Sequence, residues 1–277
     1  MGIDFFDPER PGTDVNELTP ETNIDGVLSA LETIVAECAA QKSRAGYFAA
    51  LYLKVTKAVK EAIVSKQFQN ASQLEKLDVV FANRYLAAYH TWNNHKRPSG
   101  PWAVAFDEVG DSSDIVLQHL LLGMNAHINY DLGIATVVAC GGKPIENLRA
   151  DFDAINMIIA ALTNQVISEL GQVSPLLSLL GLHASNANFA LLQFSIDNAR
   201  DGAWSFAEEL SVKKTIEREP FIAQREVTIK KLAEKLVHTA GLVNFTVWLV
   251  RLFERKPVNE IIGIMNEYRK RQIVINS

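Results

Sequence analysis

The stretch HLLLGMNAHINYDLG, residues 119–133, places two imidazoles, two amides and a carboxylate in an otherwise apolar segment. At about 100° per residue of α-helix, His127 and Asp131 share one face, and His119 lies two turns earlier at its edge. An imidazole held by a carboxylate keeps one tautomer and gains basicity. His127 and Asp131 are therefore candidates for a general acid or base, with His119 as a third catalytic candidate.

A second polar stripe on the same helix contains Gln118, Asn125 and Asn129. A buried amide without a partner costs about 1–3 kcal/mol, so each should have one. Asn125 and Asn129 could bind substrate by polarising a carbonyl, or they could tie helices together without any chemistry. We expect Asn125 to be almost fully buried.

Polar and aromatic residues at helical spacing elsewhere could complete a substrate-binding site. Tyr85, with Arg84 beside it, lies on the third predicted helix. The other candidates lie on the two helices that follow the central one: Asp153, Asn156, Asp197, Arg200 and Trp204. If these faces converge, they form an aromatic-lined pocket for a small-molecule ligand, as helical bundles commonly do. The helical phases predict that His127 and Asp131 share a cavity with Asp153, Asn156, Asp197 or Arg200.

The same helix also offers candidate ligands for a divalent metal. Imidazole and carboxylate ligands suit Zn²⁺ or Fe²⁺. One helix offers at best three ligands, His119, His127 and Asp131, so a further one would come from elsewhere in the sequence: Asp151, Asp153 or His183. The sequence contains neither HExxH nor the ExxH pair of the di-iron bundles.

Apolar residues repeat at three and four along nearly every long segment, which predicts an all-α, multi-helix bundle in one domain, 1–277. The central helix should span about 113–139, because it is apolar on most sides. The other helices are predicted at 26–40, from 43, and at 71–92, 145–170, 186–210, 221–238, 242–255 and 258–271. We expect an extended lead at 1–22, a loop at 95–110 with a short turn at 102–106, and an exposed charged loop at 211–220.

Composition narrows the class of protein. The 277 residues are 48% hydrophobic and 21% charged, as in soluble globular proteins. Residues 213–277, the basic C-terminal helices, carry 13 Lys and Arg against 7 Asp and Glu, whereas the rest is acidic. Because apolar residues and Glu interrupt this basic region, it favours an intramolecular or homodimer contact over nucleic acid.

Three further features bear on location. The apolar run at 242–253 is too short to span a membrane. Cys38 and Cys140 lie in apolar contexts without CxxC spacing, which predicts buried free thiols. The N-terminus lacks the apolar segment of a secretory signal. We therefore expect a cytoplasmic protein.

The segment QHLLLGMNAHINYDLGIA, together with ADFDAIN and the AW pair at 203–204, resembles the bacterial family called domain of unknown function DUF5995. The resemblance covers about residues 25–255. It implies an uncharacterised all-α protein and supports the choice of residues above, but it carries no activity or catalytic role.

Two functions follow as hypotheses. The first is an enzyme that acts on a small, largely apolar molecule by His/Asp acid-base chemistry, as a hydrolase or a lyase/isomerase, with or without a metal. The alternative is a non-catalytic ligand-binding or interaction protein, in which the buried polar residues are structural.

Overall fold

The structure is a computed structural model, and it describes residues 19–177, 179, 196–239 and 241–268. This part of the chain is all-α and contains no strand. The helices are α1 (Ile24–Gln41), α2 (Ala45–Val64), α3 (Ala71–Asn93), α4 (Gly100–Asp107), α5 (Val116–Met124), α6 (Gly133–Cys140), α7 (Arg149–Val173), α8 (Ile196–Ser211), α9 (Thr215–Val237), α10 (Gly241–Phe253) and α11 (Val258–Asn266). A π-helical segment (Asn125–Leu132) joins α5 to α6 without interruption.

Asparagine side chains cap the N-termini of α1 and α3. Asn23 accepts a hydrogen bond from the backbone of Gly26 and so caps α1. Asn70 caps α3 in the same way. The carboxylate of Asp151 accepts from the backbone N–H groups of Gln69 and Asn70, at 2.7 and 2.6 Å, and fixes the turn before α3. This gives Asp151, a candidate metal ligand in the sequence, a structural task.

The helix formed by α5, the π-helical segment and α6, called the central helix from here on, lies inside the bundle. It packs against α2, α3, α4, α7, α8 and α9. Most of its residues are buried, none is exposed, and Asn125 is 0% exposed. The predicted central position and the burial of Asn125 are both confirmed.

The central helix begins at Val116, slightly later than predicted, and one nearby and one distant side chain bind the backbone N–H groups at its start. Glu254 accepts from the backbone N–H of Val116, and Gln118 accepts from that of Ile115. At the other end of the helix, Gly141 adopts the left-handed conformation that commonly terminates helices.

The expectation of an exposed charged loop over 211–220 is wrong for most of that segment. α8 ends at Ser211 and α9 begins at Thr215, so only three residues connect them. Pro220 lies within the second turn of α9, where it removes one intrahelical hydrogen bond without ending the helix. Most of the segment is exposed.

The remaining differences between the predicted and the observed secondary structure are smaller. The short turn expected at 102–106 is a full helix, α4. The 19–22 part of the predicted lead is non-helical, whereas 1–18 and the predicted start of a helix at 186 lie outside the described residues. Both cysteines are free and buried, as predicted. None of the described helices is long and apolar enough to cross a membrane.

Candidate functional site

His127 and Asp131, the acid-base candidates from the sequence, lie in the π-helical segment. In such a segment the backbone bonds run from i to i+5 and not to i+4, so each residue is rotated relative to its place in an α-helix. Seven of the eight residues are buried, including Asn125, His127, Asn129 and Asp131. π-Helical insertions are rare in proteins. Those that do occur are frequently found at functional sites.

Asp131 is the best-bound polar group of the segment. Its side chain is 2% exposed, and Oδ1 accepts a hydrogen bond of 2.7 Å from Nε of Arg84 on α3. Oδ2 accepts another, also 2.7 Å, from Nε1 of Trp102 on α4. Burial raises the pKa of this carboxyl group, but the charge of Arg84, the nearby imidazole of His127 and the hydrogen bond from Trp102 together outweigh it, so the pKa lies below its ordinary value. Asp131 is therefore ionised at neutral pH.

His127 lies one turn before Asp131 in the π-helical segment and is surrounded by aromatic side chains. Its ring stacks on Phe81, with centroids 3.5 Å apart and planes 9° apart, and meets the edge of Tyr52 at 4.3 Å. Tyr85 packs on the same ring at 6.2 Å. Tyr85, a candidate substrate-wall residue in the sequence, is thus next to His127.

The protonation of His127 follows from this enclosure. Nδ1 lies 4.0 Å from Oδ2 of Asp131, too far for a hydrogen bond, and neither ring nitrogen has a partner among the described residues. Burial lowers the pKa of His127, and the Asp131 carboxylate opposes this only in part. The imidazole is neutral at pH 7 and retains an unused lone pair and an unused N–H group.

A pocket of about 220 Å³ opens beside this pair, between α3, α4 and the central helix. Arg84, Asp131 and Trp102 contribute its hydrogen-bonded polar groups. The other lining residues are mostly apolar: Val80, Ala87, Ala88, Thr91, Pro98, Ser99 and Val138. Asp131 lines this pocket, whereas His127 is not among the lining residues.

The second polar stripe is a network that ties the central helix to α9. Asn125 donates to the backbone carbonyl of Ile229 at 3.1 Å and accepts from Asn129 at 3.1 Å. Gln118 donates to the carbonyl of Leu236, and Arg225 donates to the carbonyl of Asn129. Asn125 and Asn129, candidates for substrate binding in the sequence, therefore have structural partners.

The remaining substrate-binding candidates form a separate contact between α7 and α8. Arg200 is buried and donates to the side chain of Asn156 and to the carbonyl of Phe152. Asp153 pairs with Arg149, and Trp204 packs on Phe152 and donates to Glu208. Asp197 is exposed at the start of α8. None of these residues lines the pocket beside Asp131.

His119 lies on α5, before the π-helical segment begins. It is eight residues from His127, which corresponds to roughly 12 Å along a helix. Its ring contacts Tyr47 edge-on at 5.6 Å, and burial lowers its pKa to about 3.

The distance between His119 and His127 bears on the candidate metal site of His119, His127 and Asp131. Zn–N distances are about 2 Å, so ligands of one ion lie close together, and His119 is too distant to join His127 and Asp131. Among the described residues, no group of three His, Cys, Asp or Glu side chains is arranged to hold a metal. His183, the remaining candidate ligand, lies outside those residues.

Arg84 and Trp102 are the site residues whose role sequence reasoning missed. Arg84 was visible beside Tyr85 on α3, but nothing local connected it with Asp131, 47 residues later. Trp102 lies 29 residues before Asp131, in a segment predicted to be mainly loop. The signal that could have found them is the need of a buried carboxylate for donors.

Comparison with known proteins adds a family but no activity. A family model described as "Family of unknown function (DUF5995)" matches residues 24–239. No curated protein and no solved structure is significantly similar to the chain.

Proposed function

Since this chain belongs to the DUF5995 family, whose description assigns no activity, we propose from the site itself that the protein binds a small, largely apolar molecule beside Asp131. The observation that carries the proposal is an ionised, buried carboxylate, fixed by Arg84 and Trp102, at the polar end of an apolar pocket. Ligand sites in helical bundles have this composition: apolar walls with a few fixed polar groups.

The size of the pocket limits the ligand. Its volume of about 220 Å³ is below the roughly 300–1,000 Å³ of drug-sized ligand sites. A molecule of one ring or one short branched chain matches it. Because both oxygens of Asp131 already accept hydrogen bonds, the polar groups are in place before a ligand arrives, which reduces the ordering cost of binding.

A blocking variant tests this proposal. α-Methylstyrene, one ring with a short apolar branch, serves as the probe, and ligand-observed NMR measures its binding. Ala87 lines the pocket and is partly exposed, so Ala87→Phe should fill it and abolish the signal. Ala40, exposed on α1 and away from the pocket, provides the matched control Ala40→Phe, which should bind as the wild type does. Equal binding by both variants would refute the proposed site.

A second candidate function is acid-base catalysis on the bound molecule by Asp131 and His127. The observation that favours it is that the two ring nitrogens of His127 have no hydrogen-bond partner within the described part of the chain, with Nδ1 4.0 Å from Asp131. A proton taken up at Asp131 could be shared with this imidazole after a small movement. The buried position of His127 leaves Asp131 as the group that meets the ligand.

This candidate can be tested without a known substrate. Hydrolysis of p-nitrophenyl acetate probes hydrolase chemistry, and exchange of the methyl protons of acetophenone in D₂O probes proton abstraction next to a carbonyl. His127→Phe preserves the ring stack on Phe81 and should lower either rate by about 10²–10⁴-fold. His119→Phe, a buried histidine outside the site, is the control and should keep the rate. A wild type without either activity would leave ligand binding alone as the function.

Partners and location are proposed on separate grounds. The basic C-terminal region of an otherwise acidic chain supports a homodimer contact and disfavours nucleic acid. Sedimentation equilibrium at low and high salt tests this, because a contact between opposite charges should weaken as salt screens it. A monomer at both salt concentrations would refute the dimer. The two free, buried cysteines support a reducing compartment, and so the cytoplasm.

A further inference from the structure

Arg84 uses only part of its hydrogen-bonding capacity within the protein. A guanidinium group has five N–H donors, and the bond to Asp131 occupies the one on Nε. In the described part of the chain, Nη1 and Nη2 have no hydrogen-bond partner. The side chain is 26% exposed and lines the pocket. Four directed donors are therefore available next to the apolar walls.

We propose that the pocket selects a small apolar molecule that carries a neutral carbonyl oxygen, such as a ketone, aldehyde, ester or amide, and that this oxygen accepts hydrogen bonds from Nη of Arg84. This inference rests on the proposed ligand-binding function and specifies its ligand class. The apolar part of the ligand lies against Val80, Ala87 and Trp102.

The charges at the site decide between a neutral acceptor and an ion. Arg84 and Asp131 have opposite charges, so their sum at the pocket is zero. A carboxylate ligand on Arg84 would lie next to the ionised Asp131 and be repelled, since like charges disfavour each other strongly away from water. An ammonium ligand would meet the positive charge of Arg84, and each Asp131 oxygen already accepts from a protein donor. A neutral carbonyl oxygen gains charge-assisted hydrogen bonds and meets no opposing charge.

A set of four single-ring ligands of similar size tests the class. Acetophenone has the carbonyl, α-methylstyrene replaces its oxygen by CH₂, benzoate carries a carboxylate and benzylamine an ammonium group. NMR titration of the wild-type protein measures their dissociation constants. Acetophenone should bind at least about tenfold tighter than each of the other three, which corresponds to about 1.4 kcal/mol.

A conservative variant identifies the donor. Arg84→Lys keeps a positive charge for Asp131 but loses the planar fork and its free Nη groups. The tenfold preference for acetophenone over α-methylstyrene should disappear, while α-methylstyrene still binds. Arg149→Lys changes an arginine that has the same Nε bond to an aspartate but does not line the pocket, and it should keep the preference.

The outcomes separate this inference from the proposed function. If acetophenone and α-methylstyrene bind equally, the carbonyl class is refuted while the pocket stands as a ligand site. Tighter binding of benzoate or benzylamine also overturns the inference and assigns an ionic ligand. If none of the four binds, the proposed function fails together with the inference that rests on it. A preference that survives Arg84→Lys would remove Arg84 as the donor.

Discussion

Replacing Arg84 by methionine tests the electrostatic account of the site most directly. Methionine retains the apolar stem of the side chain but leaves Asp131, 2% exposed, with Trp102 as its remaining hydrogen-bond donor. Breaking a buried ion pair by removing one partner costs about 3–5 kcal/mol. Because the Arg84 side chain is 26% exposed, water can partly replace it, and we expect the lower end, about 3 kcal/mol.

Urea unfolding followed by circular dichroism measures this change in the free energy of unfolding. The control is Arg149→Met, which removes an arginine with the same 2.7 Å bond from Nε to an aspartate but with both side chains more than 40% exposed. Exposed ion pairs contribute about 0.2–1 kcal/mol. Equal losses in the two variants would refute the view that burial makes the Asp131 pair different.

The pH dependence gives a second, independent readout. In the wild type the pKa of Asp131 is depressed, so its stabilising contribution is present above the unfolded pKa of about 3.9 and is lost as pH falls through the folded value. In Arg84→Met burial is no longer outweighed, so the folded pKa rises and the folded state prefers the protonated acid. The difference in stability should therefore be largest near neutral pH and shrink towards about pH 4. A difference independent of pH would contradict this reasoning.

Three further predictions concern the central helix, each measured as a change in the free energy of unfolding. Asn125→Leu should cost about 1–3 kcal/mol, because it leaves a buried carbonyl of α9 and a buried amide unpaired. Gly133→Ala should cost about 1–3 kcal/mol, since a Cβ would lie 2.7 Å from a backbone carbonyl oxygen of α8, whereas Gly171→Ala on α7 meets no atom within 4 Å and should be neutral or stabilising. Burial lowers the pKa of His119 to about 3, so the folded state favours the neutral imidazole. Between pH 7 and pH 5 the free energy of unfolding of the wild type should therefore fall by about 2 kcal/mol, a loss that His119→Phe should not show. A wild type and a His119→Phe variant with the same pH profile would contradict this.

Much of the helical layout is a local property, and the sequence predicted it for that reason. Apolar spacing of three and four residues determines which face of a helix is buried, so it located α1, α3 and the central helix to within a few residues. The near-continuous apolar surface around Asn125 predicted its burial, because a helix covered on all sides cannot expose one amide. The charged residues around Pro220 misled the same reasoning, since an exposed helix also consists of charged residues.

Only the tertiary structure decides which groups surround the site residues and which donors they bind. His127 and Asp131 could be identified as neighbours from their spacing, but their phases assumed regular α-helix, and the π-helical segment changes them in a way that no local pattern announces. Which donors satisfy Asp131 is decided by contacts across 47 and 29 residues, to Arg84 and Trp102. Arg200 was an equally good candidate by helical phase and is used at the contact with α7. Helical periodicity states which way a side chain points on its own helix, whereas only the packing of the helices determines what it meets there.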